Sequence, residues 1–371
     1  MMEFLKELRR RYLKKRKDRD PNFPVTTWMG DDILSNGKIG KCITVILNTP
    51  GCRWAYEYGG CTMCGYLMDG SPGEITAENI INQFNYAIEK YYKEIENDPK
   101  NICIKIFTSG SFLNEREVPK EARRYILSKI GELDIKEVVI ESRIEYIRED
   151  TLEEVKECLG SVNMEIGVGV ETFNEEIRKH SINKGVCNRD ILDTLELAKE
   201  YSIDLKAYLL IKPLFITERD AIEDGIYSGN KCLELGFSRI SYCPATVHKG
   251  TLMEILWKKG QYRPPFLWSV LEIIYEVKRK NPDTIVICDT SGIPSNRGAH
   301  NLLKCKCNEY IKRILENFTL RQDLSDIKRV LEMDCCKDHW ERFLEFEERN
   351  IVPLGDINIK YSNKNKQKFL N

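Results

Sequence analysis

From residue 42 onward, short apolar runs rich in β-branched residues alternate with amphipathic segments, and that alternation leaves few folds open. The runs are Cys42–Leu47, Ile102–Thr108, Glu137–Ser142, Asn163–Glu171, Asp204–Lys212 and Arg239–Cys243. Helical periodicity lies between them: from Ala77 to about Asn97, from near Pro119, over Arg189–Tyr201 and over Glu218–Leu235. Strands apolar on both faces and separated by helices predict a parallel sheet covered on both sides. Six such units before about Pro244 predict an α/β fold, an incomplete barrel of six β/α units. A chain of 371 residues suits one such barrel with an appendage. The pattern divides it into a basic arm (1–26), the partial barrel (27–250), a mostly helical, cysteine-rich extension (251–350) and a polar, basic tail (351–371). Within the extension, Arg263–Trp268 opens a helix running to about Lys280, and Asp283–Cys288 offers one more strand.

Cys52, Cys61 and Cys64 follow the first strand closely. Three thiolates can hold three corners of a cubane iron–sulfur cluster and leave the fourth for a small molecule. Such a loop at the C-terminal end of a strand is where α/β barrels place their chemistry. Gly59 and Gly60 allow the sharp turn that brings the sulfurs together. Buried thiols with no ligand are one rival reading, since free cysteine is commonly buried. A zinc site is another, but it wants a fourth Cys or His nearby, and none follows Cys64 until Cys103 in an apolar run. The open-cornered cluster is the best of the three.

Lys and Arg number 57 against 58 Asp and Glu, a net charge of −1, so the chain as a whole is not a polycation. The charge is uneven. Lys6 to Arg19 holds nine basic residues with Glu7 and Asp18 as the acids, and Lys360, Lys364, Lys366 and Lys368 repeat the bias in the tail. Basic ends on a neutral body point to a polyanionic partner touched at particular places. In the arm, Phe4, Leu8 and Tyr12 share one helical stripe, so it can dock on the body or lie along phosphates. Trp54, Tyr56 and Tyr58 are candidates for stacking on bases. Fourteen scattered cysteines, no signal-peptide pattern and no apolar span of about 18 residues predict a reducing cytoplasm, no membrane and no disulfide framework.

Polar residues close each strand: Thr108-Ser109-Gly110-Ser111, Glu141-Ser142-Arg143, Gly167-Val168-Gly169-Val170-Glu171 and Lys212-Pro213. A parallel barrel brings these ends to one mouth, beside the cysteine loop. With Cys52-Arg53-Trp54, Cys61-Thr62-Met63-Cys64-Gly65-Tyr66, Asn183-Lys184-Gly185 and Pro265-Phe266-Leu267-Trp268, the chain resembles the radical S-adenosylmethionine (SAM) superfamily in its elongator-like branch. The joint set is similar to the radical SAM subunits of archaeosine synthase, from about Thr27 to Trp340.

That resemblance implies a [4Fe-4S] cluster on Cys52, Cys61 and Cys64, with SAM on the open iron. It implies that Tyr66 offers its backbone to the adenine and that Ser109, Gly110 and Ser111 receive the methionine amino group. Here one glycine and two serines replace the family's usual glycine pair and acid. Glu141 is implied as acceptor for ribose hydroxyls and Arg143 as a grip on a carboxylate. Gly169 and Glu171 would flank the adenosyl group, and Lys212 would face substrate or the SAM carboxylate. The implied reaction uses a 5′-deoxyadenosyl radical to break a lysine C–N bond in tRNA carrying a lysine-linked 7-deazaguanine in its D-arm. Its partners are tRNA, a lysine-transferring subunit and an electron donor. A radical SAM enzyme acting on another RNA base or a small molecule, or a non-catalytic metal- or RNA-binding subunit, are the competing readings. His300, Cys305, Cys307, Cys335 and Cys336, with His339 nearby, form a second group suited to a structural zinc. A second iron–sulfur cluster or unligated buried thiols are its alternatives, and the adjacent Cys335-Cys336 pair is expected to give one ligand.

Overall fold

Eight strands build one sheet in simple chain order: β1 (Thr26–Ile33), β2 (Ile39–Ile46), β3 (Ile102–Phe107), β4 (Glu137–Glu141), β5 (Asn163–Glu171), β6 (Asp204–Ile211), β7 (Arg239–Pro244) and β8 (Ile285–Cys288). The computed structural model describes residues 1–347, so the basic tail expected at 351–371 lies outside the described residues. From β2 to β8 every pairing is parallel, and only β1 runs antiparallel, onto β2.

The sheet curls into a half-barrel, as the strand pattern predicts, but has two strands more than the six expected. β8 is the extra strand that the extension offered. β1 was not legible, because its half-exposed sequence TTWMGDDI contains a glycine and two acids rather than an apolar run.

Each parallel crossover carries a helix with one apolar face. The helices are α1 (Met2–Leu13), α2 (Arg53–Tyr58), α3 (Ala77–Lys90), α4 (Tyr92–Asn97), α5 (Lys120–Glu132), α6 (Glu149–Leu159), α7 (Asn188–Glu200), α8 (Glu218–Leu235), α9 (Leu252–Lys258), α10 (Leu267–Lys280), α11 (Cys307–Arg321), α12 (Ser325–Leu331) and α13 (Lys337–Phe346). In α3 the hydroxyl of Thr76 accepts from the backbone of Asn79, and Ile80, Phe84 and Ala87 face the sheet. The single helix expected from Ala77 to Asn97 breaks at Tyr91, whose ψ of 17° leaves the helical range. No helix of the described residues is long and apolar enough to cross a membrane.

The inside of the half-barrel is polar away from its mouth. Strand alternation turns Lys105 and Lys206 inward, where Lys105 pairs with Asp32. Arg239 meets Glu165 at 2.7 Å and Glu137 at 3.2 Å, and donates to the Ile33 carbonyl at 2.9 Å. All three side chains are nearly inaccessible, so these pairs fix strand register more than they add stability.

The first helix and the helical extension both pack on this body. The arm is not free: α1 packs on α2, with Leu5, Leu8 and Arg9 buried. Its inward stripe differs from the expected one, because Phe4 is exposed and Arg9 takes an inner position. In the extension, α11 covers the free edge of β8. The Val286 N–H donates to Gln322 Oε1 (2.9 Å), Gln322 Nε2 returns to the Val286 carbonyl (2.9 Å), and the Cys288 N–H donates to Thr319 Oγ1 (3.1 Å).

Candidate active site

β2 runs into the cysteine loop, and Cys52 sits at the N-terminus of α2. Gly59 and Gly60 end that helix with φ of 82° and 73° and return the chain to Cys61 and Cys64. A β-carbon on Gly59 would lie 2.6 Å from Leu5 Cβ, so glycine is also required by the approach of α1. The loop is pinned from two sides. Arg9 donates to the carbonyls of Gly59 (3.0 Å), Cys61 (2.8 Å) and Gly250 (3.2 Å). From the segment after β5, Asn183 accepts from Trp54 Nε1 (2.8 Å) and donates to Gly60 (2.9 Å), while Thr62 donates to the Ser181 carbonyl (2.8 Å). Burial pushes the Cys52 thiol up to about 12 and the Cys64 thiol upward as well. Arg143 pulls Cys52 the other way, and Arg9 and Lys184 do the same for Cys64. The three cysteines therefore share one loop, Cys61 buried and Cys52 and Cys64 half-buried, with Arg143, Arg9 and Lys184 close by.

The strand ends expected to form a rim do converge on this loop. Glu117 ties them together: its carboxylate accepts from the Arg53 N–H (3.0 Å), the Ser111 N–H (2.6 Å) and Asn114 Nδ2 (2.8 Å). Gly110 lies against it, and a β-carbon there would meet Glu117 Oε2 at 1.8 Å and Cys52 Cα at 2.8 Å. Ser111 Oγ accepts from the Arg143 N–H at 3.1 Å. Arg143 lies over the Trp54 ring (4.6 Å), bonds Glu145 (2.5 Å) and the Lys184 carbonyl (2.9 Å), and keeps Nη1 uncommitted among the described residues. Glu171 pairs with Lys184 at 2.8 Å, and Gly169 leaves the space that the Lys184 ammonium fills. Glu141 stands beside Tyr208, its carboxyl raised to about 6 by burial, with Tyr208 and Lys206 opposing that shift.

Glu171, Asn183 and Lys212 hold positive φ of 64°, 59° and 63°, a concentration of strained backbone at one mouth. Among the described residues, Asn48, Thr49, Arg53 and Ser109 keep buried polar side-chain atoms without a hydrogen-bond partner, all near this loop. Tyr66 follows the last cysteine on a short 3₁₀ turn, with its ring exposed and 5.1 Å from that of His248. Lys212 is placed differently from the others. Its ammonium is buried against Glu218 (2.6 Å) and lies 3.8 Å from Glu347, which joins β6 to the helical extension.

In the extension, the sulfurs of Cys305, Cys307, Cys335 and Cys336 all lie within 4.8 Å of one another, with 3.2 Å between Cys305 and Cys335 and 3.6 Å between Cys307 and Cys336. His300 is not among them; its Nδ1 lies 2.7 Å from the Gly298 carbonyl. Both members of the adjacent pair join, because α13 starts directly after Cys336 and turns the two side chains toward different partners.

Sequence reasoning gave no role to Glu117, Arg9 or Lys184. Lys184 stood inside a quoted motif, so a lysine in the loop before α7 was there to be noticed. Glu117 and Arg9 carried no signal, because the contacts that tie them to the cysteine loop are 64 residues (Arg53) and 50 to 52 residues (Gly59, Cys61) away.

The radical SAM superfamily signature matches residues 46–223. An uncharacterized protein of Methanocaldococcus jannaschii is 62% identical over 95% of this chain and 96% of its own length. Archaeosine synthase subunit beta of Methanosarcina acetivorans is 39% identical over 92% of this chain and 95% of its own. The subunit of the same name from Thermococcus kodakarensis is 36% identical over 86% and 97%. Among solved structures, Elp3 of Methanocaldococcus infernus aligns with a TM-score of 0.49 at 18% identity, covering 76% of this chain and 63% of that one.

Proposed function

The chain belongs to the radical SAM superfamily and to the family of archaeosine synthase beta subunits, and from that premise we propose that it breaks a lysine C–N bond in tRNA. The substrate is a lysine-linked 7-deazaguanine in the D-arm, and the product left in the tRNA is archaeosine. A lysine-transferring partner subunit supplies the substrate, and an external donor supplies electrons. The observation that carries this reading is the loop of three cysteines clamped at the strand-end rim.

The residues present fit the cofactors. One buried and two half-buried thiols near Arg143, Arg9 and Lys184 suit thiolate ligands, and partnerless polar atoms with a close-packed glycine at the next loop suit a bound small molecule. Cys52, Cys61 and Cys64 would hold a [4Fe-4S] cluster, whose chemistry when bound would be the one-electron reduction of SAM that makes hydrogen removal from the substrate possible. Arg143, oriented by Trp54 and Glu145, would grip the methionine carboxylate with its remaining guanidinium nitrogen. Ser109, Gly110 and Ser111 receive the amino group, Glu141 accepts from the ribose, and the Tyr66 backbone meets the adenine. Gly169 and Glu171 line the adenosyl side, with Lys184 holding the Glu171 carboxylate. Lys212, held by Glu218, keeps the β6 end in position.

The four thiols of the extension hold a structural zinc. Tetrahedral Zn–S bonds of about 2.3 Å set sulfurs roughly 3.8 Å apart. The spacing found matches one ion better than a cluster, whose ligands stand wider.

Nucleoside mass analysis tests the reaction. tRNA treated with the lysine transferase is incubated anaerobically with reconstituted protein, SAM and dithionite. Loss of the lysine adduct with gain of archaeosine is expected, and Cys64→Ala should abolish it. Release of 5′-deoxyadenosine with the adduct untouched would assign the chemistry to another substrate.

A further inference from the structure

We propose that the solvent face of α1 and the basic segment after it, together with the rings of Tyr56 and Tyr58, form the surface that seats the RNA substrate beside the cysteine loop. This rests on the RNA-substrate reading above. The arm has a fixed orientation: Leu5, Leu8 and Arg9 point inward, so Arg10, Arg11, Lys14, Lys15 and Lys17 are presented to solvent. Glu7 answers Arg11 at 2.9 Å and Arg10 at 3.9 Å. Lys14, Lys15 and Lys17 have no carboxylate within 4.0 Å among the described residues. Lys15 also lies 4.9 Å from the Tyr12 ring, and on a chain of net charge −1 this is a local excess of cations over the single carboxylate of Glu7.

The flat rings beside it separate RNA from other polyanions. Tyr56 and Tyr58 of α2 are 36% and 40% exposed. Arg16 lies 5.5 Å from the Tyr56 ring and donates to its hydroxyl at 2.7 Å, and Lys6 lies 5.9 Å from the Tyr58 ring. From Tyr58 a stack leads inward, through Trp54 at 4.4 Å to Arg143 at the rim. Cations spaced along a helix grip phosphates, and interleaved rings receive unstacked bases. A base that is chemically altered must leave its stack, and this ladder lies between the basic surface and the mouth. An acidic protein would use the lysines and leave the rings idle.

The test is binding of a tRNA transcript to full-length, cluster-loaded protein across a salt series. Arg10→Ala/Lys14→Ala/Lys15→Ala/Lys17→Ala should weaken binding at least about tenfold at 0.15 M salt and flatten the log–log salt slope by about three. Its iron content and its SAM cleavage without RNA should match the parent. Tyr58→Ala should weaken binding with the slope unchanged, and Tyr58→Phe should restore it. Should the parent bind tRNA while the quadruple variant binds equally, with the same slope, the surface is refuted and the RNA-substrate reading stands. Should the parent itself fail to bind tRNA, both fall. Competition by polyglutamate as strong as by tRNA at equal charge would reassign the surface to an acidic protein and overturn the proposal.

Discussion

Gly110 and Glu117 show how closely the site is packed, since an added β-carbon would collide with the carboxylate and with the backbone of Cys52. Gly110→Ala is therefore expected to separate the cysteine loop from the β3 loop. Iron and sulfide per chain should fall well below parent levels after reconstitution, while the far-ultraviolet circular dichroism stays unchanged. Glu141 gives a second prediction, through pH. Its folded value of about 6 stands above the ordinary 4.5, so the carboxylate that would accept from ribose is lost as pH falls through 6. SAM affinity measured by calorimetry should drop between pH 7 and pH 5, and Glu141→Gln should bind more weakly without that step. The linkage for folding has the opposite sense. The folded chain holds this proton more tightly than the unfolded one, so the contribution of Glu141 to stability declines as pH rises from 4.5 through 6.

The first helix unites two features that sequence patterns treat separately. Arg9 is 4% exposed, yet any periodicity argument assigns an arginine to solvent. Its stem packs inward and its guanidinium satisfies three carbonyls, one of them on Cys61. Arg9→Ala should cost roughly 2–4 kcal/mol in chemical denaturation, because buried carbonyls lose their donors. It should also shorten cluster lifetime under air; unchanged bleaching at 420 nm would show that the clamp does not hold the loop. Strands from β2 to β8 were legible because both of their faces are covered and their apolar runs are nearly unbroken. β1 was not, since an antiparallel edge strand with one wet face can carry Gly30, Asp31 and Asp32. That Cys52, Cys61 and Cys64 share one loop beside the ends of β3 and β4 was legible from their place after a strand. Glu117 was not, because its role arises only when β3 and β2 lie side by side.

For the molecule as a whole, the extension holds parts that are distant in sequence. Trp340 of α13 donates to Ser269 of α10 at 2.9 Å, and Ser269 donates to Glu218, the partner of Lys212 at the end of β6. The thiol group thus joins the start of α11, the start of α13 and, through this chain of bonds, the barrel mouth. Cys307→Ala should lower the melting temperature by several degrees and lose the zinc proposed for this group, as read by a chromogenic chelator against the parent. It should leave the three-cysteine cluster assembled in freshly prepared protein.

α11 has its first residue among those four sulfurs and, further along, reaches across to β8 with Thr319 and Gln322 standing in for a neighbouring strand. Removal of the zinc proposed there would let that substitute slip, laying bare a row of amides and carbonyls that a second molecule could zip onto. Prolonged treatment with a strong chelator should accordingly produce concentration-dependent clumping, visible in light scattering before the melting transition. Gln322→Ala should show the same tendency with its metal still in place.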